Sequence, residues 1–189
     1  MASFNIHLAI GKKYMEKNPI IKNEKEFYKG VIDPDLTTNK KVTHYSGNVD
    51  GDDLIRRLTE KVLLNLYLKE HDIETDYDRG VFLHLVTDYL FYNFFFEREY
   101  LLSVTHPEFV QNLYHSYDIV NEHVKEKYDI DYSEFGLEVK PLQGLDEKDK
   151  GIIDIDKLDN FIEYVSSIDL DGYRNKIIEN DSNILPIIG

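Results

Sequence analysis

The chain has 189 residues, 42% of them hydrophobic, which is enough for one ordinary domain with a buried core and is unlike a disordered or membrane-embedded chain. Its 36 acidic and 22 basic side chains give a formal charge of −14, a surface that repels nucleic acid and anionic lipid unless a local positive centre such as a metal ion intervenes. With no cysteine, disulfides, thiolate zinc sites and thiol nucleophiles are excluded, so any zinc must be held by His, Asp or Glu.

The opening stretch, MASFNIHLAIGKKY, has no basic segment followed by an apolar core, so no signal peptide is expected and the cytoplasm is the default location. Phe4, His7, Leu8, Gly11, Tyr14 and Met15 recur at three- and four-residue steps and predict one face of a helix. Ser3 or Asn5 can cap it, and Asn18-Pro19 should end it. A short second helix is expected over 24–29, closed near Gly30. Residues 31–50 carry Pro, Gly, Asn, Asp and Thr with no apolar period, and read as a long loop of the kind that usually marks function or disorder.

Residues 52–70 predict a single amphipathic helix. Ile55, Leu58, Val62 and Leu66 form its stripe, with Arg56, Arg57, Lys61 and Lys69 mostly away from it. Thr75 can cap a further helix reaching about Tyr100, with Asp76 and Asp78 in its first turn. Its apolar stretch, 80–96, contains His84, Thr87, Asp88 and Asn93 and is too short to span a membrane, which implies a buried helix and no membrane anchor. Pro107 starts a helix carrying Leu113, Tyr117, Val120 and Val124. Residues 136–151 read as a second loop, followed by helices over 156–167 and Leu170–Asn180. No stretch alternates long enough for a strand. The expected fold is therefore all-α, a single-domain helical bundle over residues 1–189.

The sharpest chemical signal is GVFLHLVTDYLF. His84 and Asp88 are four residues apart and project together from one helix turn, on a face that also carries Val81, Leu85 and Tyr92. A carboxylate there is costly to bury unless it is paired or metal-bound. The pair fits a metal site and equally fits an Asp–His hydrogen bond closing a polar gap. In GVIDPDLT, Pro34 is expected to set Asp35 in a rigid, non-helical position. His44 follows nine residues on, in the same loop. His7 lies among apolar residues, where a histidine is more often a satisfied core group than a ligand. Together these five are the residue types a cysteine-free metal site needs.

The four motifs NIHLAIG, GVIDPD, the loop histidine His44 and His84-x-x-x-Asp88 resemble, in order and rough spacing, the bacterial zinc-dependent phospholipase C family, which includes the clostridial alpha-toxins. The resemblance covers residues 1 to about 100, and HLAIGKKYMEKNPIIKNEKEFYKGVIDPD is similar to the family's short cytosolic branch. It implies a helical bundle of the phospholipase C and single-strand nuclease type, with metals in a cleft. Asp35, His44, His84 and Asp88 would form one zinc site, and Asp88 would bridge to a second metal that also uses His7. The family's second metal takes the amine of an N-terminal Trp, and this chain has no Trp. The family's third site needs a His-x-x-x-Glu pair. Here His106, His115 and His123 are followed four residues on by Val110, Ile119 and Lys127. One to two ions are thus implied, and those three histidines are expected at the surface or between helices.

The function implied is metal-dependent hydrolysis of a small phosphoester or phospholipid headgroup by a metal-bound water, with Asp35 positioning that water or taking its proton. No nucleic acid partner is expected. Two other functions compete: a non-catalytic binding protein with a closed structural metal site, and an HD-type phosphohydrolase. The HD-type reading requires adjacent His and Asp, which occur only at His71-Asp72.

Overall fold

The computed structural model describes residues 2–131, 133 and 151–182, and among these every regular element is helical, so the protein is all-α. Helix α1 (Phe4–Lys17) starts after Ser3, whose hydroxyl donates to Asn121 Oδ1 at 2.7 Å instead of capping the helix. It stops where the Asn18 side chain turns back to the Tyr14 carbonyl, 2.7 Å away, just before Pro19.

Helix α2 (Glu24–Leu36) does not close near Gly30 as expected; it runs through Gly30 and Pro34. The reason lies in another helix, α6 (Asp76–Leu90). A Cβ on Gly30 would collide with the Tyr77 carbonyl and sit 2.9 Å from Val81 N. A Cβ on Gly80 would collide with the Phe27 carbonyl and sit 2.9 Å from Val31 N. The two glycines face each other, so α2 and α6 meet backbone to backbone. Each helical glycine costs about 1 kcal/mol relative to alanine, and burial of Phe27, Val31 and Phe82 along the contact offsets that cost. Pro34 falls in the last turn of α2, where its missing N–H forfeits one bond. Its carbonyl is taken up by the Thr43 hydroxyl at 2.9 Å.

That bond anchors α3 (Lys40–Thr43), a single turn. The expected loop over 31–50 is therefore part helix, and Asp35 is helical. The expected helix over 52–70 is broken into α4 (Leu54–Thr59) and α5 (Leu64–Glu70). The Glu60 carbonyl accepts from Gly47 N at 2.8 Å, and the Lys61 carbonyl accepts from the Ser46 hydroxyl at 2.6 Å. Carbonyls diverted to a neighbouring loop cannot carry the helix onward.

A capping box between Thr75 and Asp78 starts α6. Phe82 through Leu90 are all buried, so this part of the helix is enclosed on every side. It does not reach Tyr100. It widens into a π turn (Phe91–Phe95) and ends at extended Phe96, before α7 (Arg98–Ser103). The wide turn directs Phe91, Phe95 and Phe96 into one aromatic cluster, with ring centroids 4.9–5.2 Å apart, that also takes Phe109 and Phe161. Helix α8 (His106–Lys127) has its own capping box, Thr105 with Glu108, and buries Phe109, Leu113, Tyr117, Val120 and Val124. Helices α9 (Ile155–Val165) and α10 (Leu170–Asn180) follow. The loop expected over 136–151 lies, except for Gly151, outside the described residues. Helix α1 packs on α2, α6, α8 and α9, so His7 faces the α2–α6 contact. No helix among the described residues is long and apolar enough to cross a membrane.

Candidate metal centre

His7 comes from α1, Asp35 from α2, His44 from the residue after α3, and His84 and Asp88 from α6. The structure brings all five together. His7 Nε2 lies 3.3 Å from Asp88 Oδ1 and 4.0 Å from Asp35 Oδ2. His44 Nε2 lies 3.3 Å from Asp88 Oδ2, 3.6 Å from Asp35 Oδ1 and 3.1 Å from His84 Nε2. The His7 and His84 rings stack with centroids 3.8 Å apart. Side-chain exposure is 1% or less for the three histidines and Asp88, and 9% for Asp35.

Local structure explains the placement. His84 Nδ1 faces the Val31 carbonyl at 2.8 Å, one residue past the glycine crossing. His44 Nδ1 faces the Lys40 carbonyl at 3.0 Å, and the turn that carries it is held by Thr43 on Pro34. A carbonyl can only accept, so each Nδ1 must bear a proton, and in a neutral ring Nε2 is then a bare lone pair. Two lone pairs 3.1 Å apart repel. Backbone carbonyls that accept from the far ring nitrogen are how proteins orient imidazole ligands.

Several buried atoms at the centre have no hydrogen-bond partner: both ring nitrogens of His7, and Asp88 Oδ2. Each such orphan costs about 1–3 kcal/mol. Asp88 Oδ1 accepts from the Ala2 backbone N at 2.6 Å. Burial opposes the charge on Asp88, but the positive N-terminal amine, followed by the His44 and His7 imidazoles, outweighs it and holds the carboxyl well below its usual range. Burial, reinforced by His7, pushes the His84 imidazole well below its ordinary value. An ionised Asp88 beside a neutral His84 is the protonation state a metal requires. Imidazoles and carboxylates converging in a buried, partner-starved cluster fit a divalent cation. Two overlapping groups could hold one, His7–Asp35–His84 and His44–His84–Asp88.

Other sequence candidates lie elsewhere. His71 bonds the Tyr45 hydroxyl at 2.5 Å and stacks on Tyr67, while Asp72 pairs with Arg174 at 3.3 Å. His123 pairs with Asp159 at 3.0 Å, and His106 lines a pocket with Arg57 and Lys61. His115 is half-buried on α8. Two participants went unread in the sequence. The Ala2 backbone N offers no side-chain signal. Lys40 Nζ reaches Asp35 Oδ1 at 3.2 Å, and its spacing of five residues from Asp35 could have flagged it. Comparison with protein-family models, with curated proteins and with solved structures finds no match to this chain.

Proposed function

We propose that the protein is a metal-dependent phosphoester hydrolase of the phospholipase C-like helical type, its zinc-class cation or pair of cations held by His7, Asp35, His44, His84 and Asp88. The observation that carries this reading is the set of buried polar atoms without partners at the meeting point of five side chains of ligating type. When bound, such a cation supplies a Lewis acid for phosphate oxygens and lowers the pKa of water toward neutrality.

The chain's own residues divide the remaining work. His44 and His84 are locked in one tautomer by their backbone carbonyls, so their Nε2 atoms face inward permanently. Asp88 is fixed by Ala2 N and stays charged. Asp35 is the least buried of the five, and its Oδ1 is steadied by Lys40. Asp35 Oδ2, 4.0 Å from His7, is the oxygen placed to orient a water or accept its proton. The substrate class is a small phosphoester, with phospholipid headgroups as one member.

One observation favours a second reading, a non-catalytic binding protein with a closed structural site: four of the five side chains are at least 99% buried. The HD-type reading has less support, since His71 and Asp72 are committed to other partners. The test is an assay with zinc, manganese or magnesium against soluble phosphomonoesters, phosphodiesters and lecithin micelles. Slow metal-dependent turnover of a soluble substrate, lost in Asp35→Ala, is expected. Equal rates for wild type and Asp35→Ala on every substrate would favour the structural site, and fast lecithin cleavage would favour a lipase.

A further inference from the structure

A pocket of about 360 Å³ is lined by Lys40, Lys41, Arg57, Lys61 and His106. In a chain of charge −14, three lysines and an arginine around one hollow are the reverse of the general surface. Glu60 is the one acidic side chain among its described lining residues, and Arg56 holds that carboxylate at 2.9 Å. Lys41 and Lys61 have no ion-pair partner among the described residues, and Arg57 gives its guanidinium to the Gly51 carbonyl, 2.9 Å from Nε. Burial pushes Lys61 below its usual pKa, with Lys40 and Lys41 adding to the depression against the pull of Asp88 and Asp35. Burial likewise lowers His106, helped by Arg57 and Lys61. A solvated charge stripe would spread such groups apart; here they crowd a half-buried concavity.

The pocket adjoins the five-residue cluster. Lys40 lines the pocket and reaches the cluster at Asp35 Oδ1, 3.2 Å away. Tyr92, another lining residue, lies one helical turn beyond Asp88. The rest of the wall is apolar and aromatic, with Phe109 and Leu113 buried and Tyr114 exposed. The volume falls in the range of small-ligand sites. Lysine ammonium groups are point-charge phosphate binders, and a dianion draws more from several of them than a monoanion does.

We infer that this pocket binds the phosphoryl group of a phosphomonoester dianion, with a flat apolar substituent of the ligand against Tyr92, Phe109 and Tyr114. The inference names a substrate class for the proposed hydrolase and rests on that reading only for the direction the ligand faces. Anion affinity resides in the pocket's own cations, and removal of metal does not abolish it.

The test is calorimetric titration of the full chain with phenyl phosphate, inorganic phosphate and benzoate, in the presence of a chelator. Saturable binding is expected, tightest for phenyl phosphate and weakening as salt is added. Lys61→Gln and Arg57→Gln should each lower the affinity about tenfold, the loss of one charge-assisted contact. Lys61→Arg should restore most of it, and Lys176→Gln, outside the pocket, should match wild type. Thermal melts check that each variant is folded, and Lys41→Gln, at an exposed position, serves if the Lys61 or Arg57 variants unfold. Co-sedimentation with phosphatidylcholine vesicles, with and without phosphatidic acid, separates the sources. Lys61-dependent capture by phosphatidic acid marks a lipid ligand, and binding of phenyl phosphate without capture marks a soluble one. No saturable binding in chelator, or equal affinity in wild type and all pocket variants, overturns the inference. Turnover is not read, so failure here and failure of the hydrolase reading remain separate results.

Discussion

Asp88 and Asp159 are both aspartates set against histidine, and their surroundings differ in one respect that decides what each can do. Asp159 accepts from Lys127 Nζ at 2.7 Å, faces His123 Nε2 at 3.0 Å and accepts from the Tyr128 hydroxyl at 3.0 Å. Its charge is answered by the chain itself, at a partly exposed surface, and the cluster is complete as an ion-pair network. Asp88 is fully buried, with three imidazoles around it and no lysine or arginine within salt-bridge distance among the described residues. One of its oxygens and both ring nitrogens of His7 lack partners. A histidine–aspartate cluster therefore points to an ion through what it leaves unsatisfied, not through composition.

The comparison can be broken first at the glycine crossing. Gly80→Ala gains about 1 kcal/mol of helix propensity but drives a methyl into the Phe27 carbonyl. A net loss of about 3 kcal/mol is expected, a fall in Tm on the order of 6–12 °C. The five-residue cluster should come apart, since Asp35 and the Val31 carbonyl ride on α2. The Asp159 network, on α8 and α9, should keep its contacts in the folded fraction. A rise in Tm would mean that propensity wins and that the crossing is looser than described.

Chelation comes next. A ligand present at about a hundredfold excess over its Kd stabilises by about 2.7 kcal/mol, so stripping metal should lower Tm by roughly 5–10 °C. Adding chelator to Asp88→Asn should change nothing further. An unchanged wild-type melt would count against a folded-state metal.

The smallest effect belongs to the surface network. Burial works against the Asp159 charge, but Lys127, His123 and Tyr128 hold its carboxyl below the usual value. A depressed folded pKa adds stability above the unfolded value, about 3.9, and that stability disappears as pH falls through the folded pKa. Asp159→Asn should therefore cost on the order of 0.5–1 kcal/mol near neutrality, with the difference closing in acid. A gap that persists below pH 3 would place the cost in packing.

How much of this was legible in the sequence depended on range. Helices α1, α8 and α10 follow from local sequence signals, and the structure places them close to the expected bounds, although Ser3 does not cap α1. The spacing of His84 and Asp88 showed a shared face without choosing between a metal and a simple hydrogen bond. Where reading failed, a distant partner had overridden a local signal. Gly30 and Pro34 look like stops, yet Gly80 and Thr43 hold α2 together across both. The stripe from Ile55 to Leu66 looks continuous, yet Ser46 and Gly47 take the carbonyls at its middle. The basic pocket was invisible because Lys40, Lys41, Arg57, Lys61 and His106 come from α3, α4, the α4–α5 break and α8, and no local pattern joins them.

The most direct test of the central claim is metal content by elemental analysis of wild type, Asp88→Asn and Asp159→Asn, each purified without added metal and again after incubation with zinc. The account predicts one to two divalent ions per wild-type chain, the same in Asp159→Asn, and at least about a tenfold weaker retention in Asp88→Asn. Wild-type protein that takes up no ion in either preparation, or equal content in all three proteins, would contradict it.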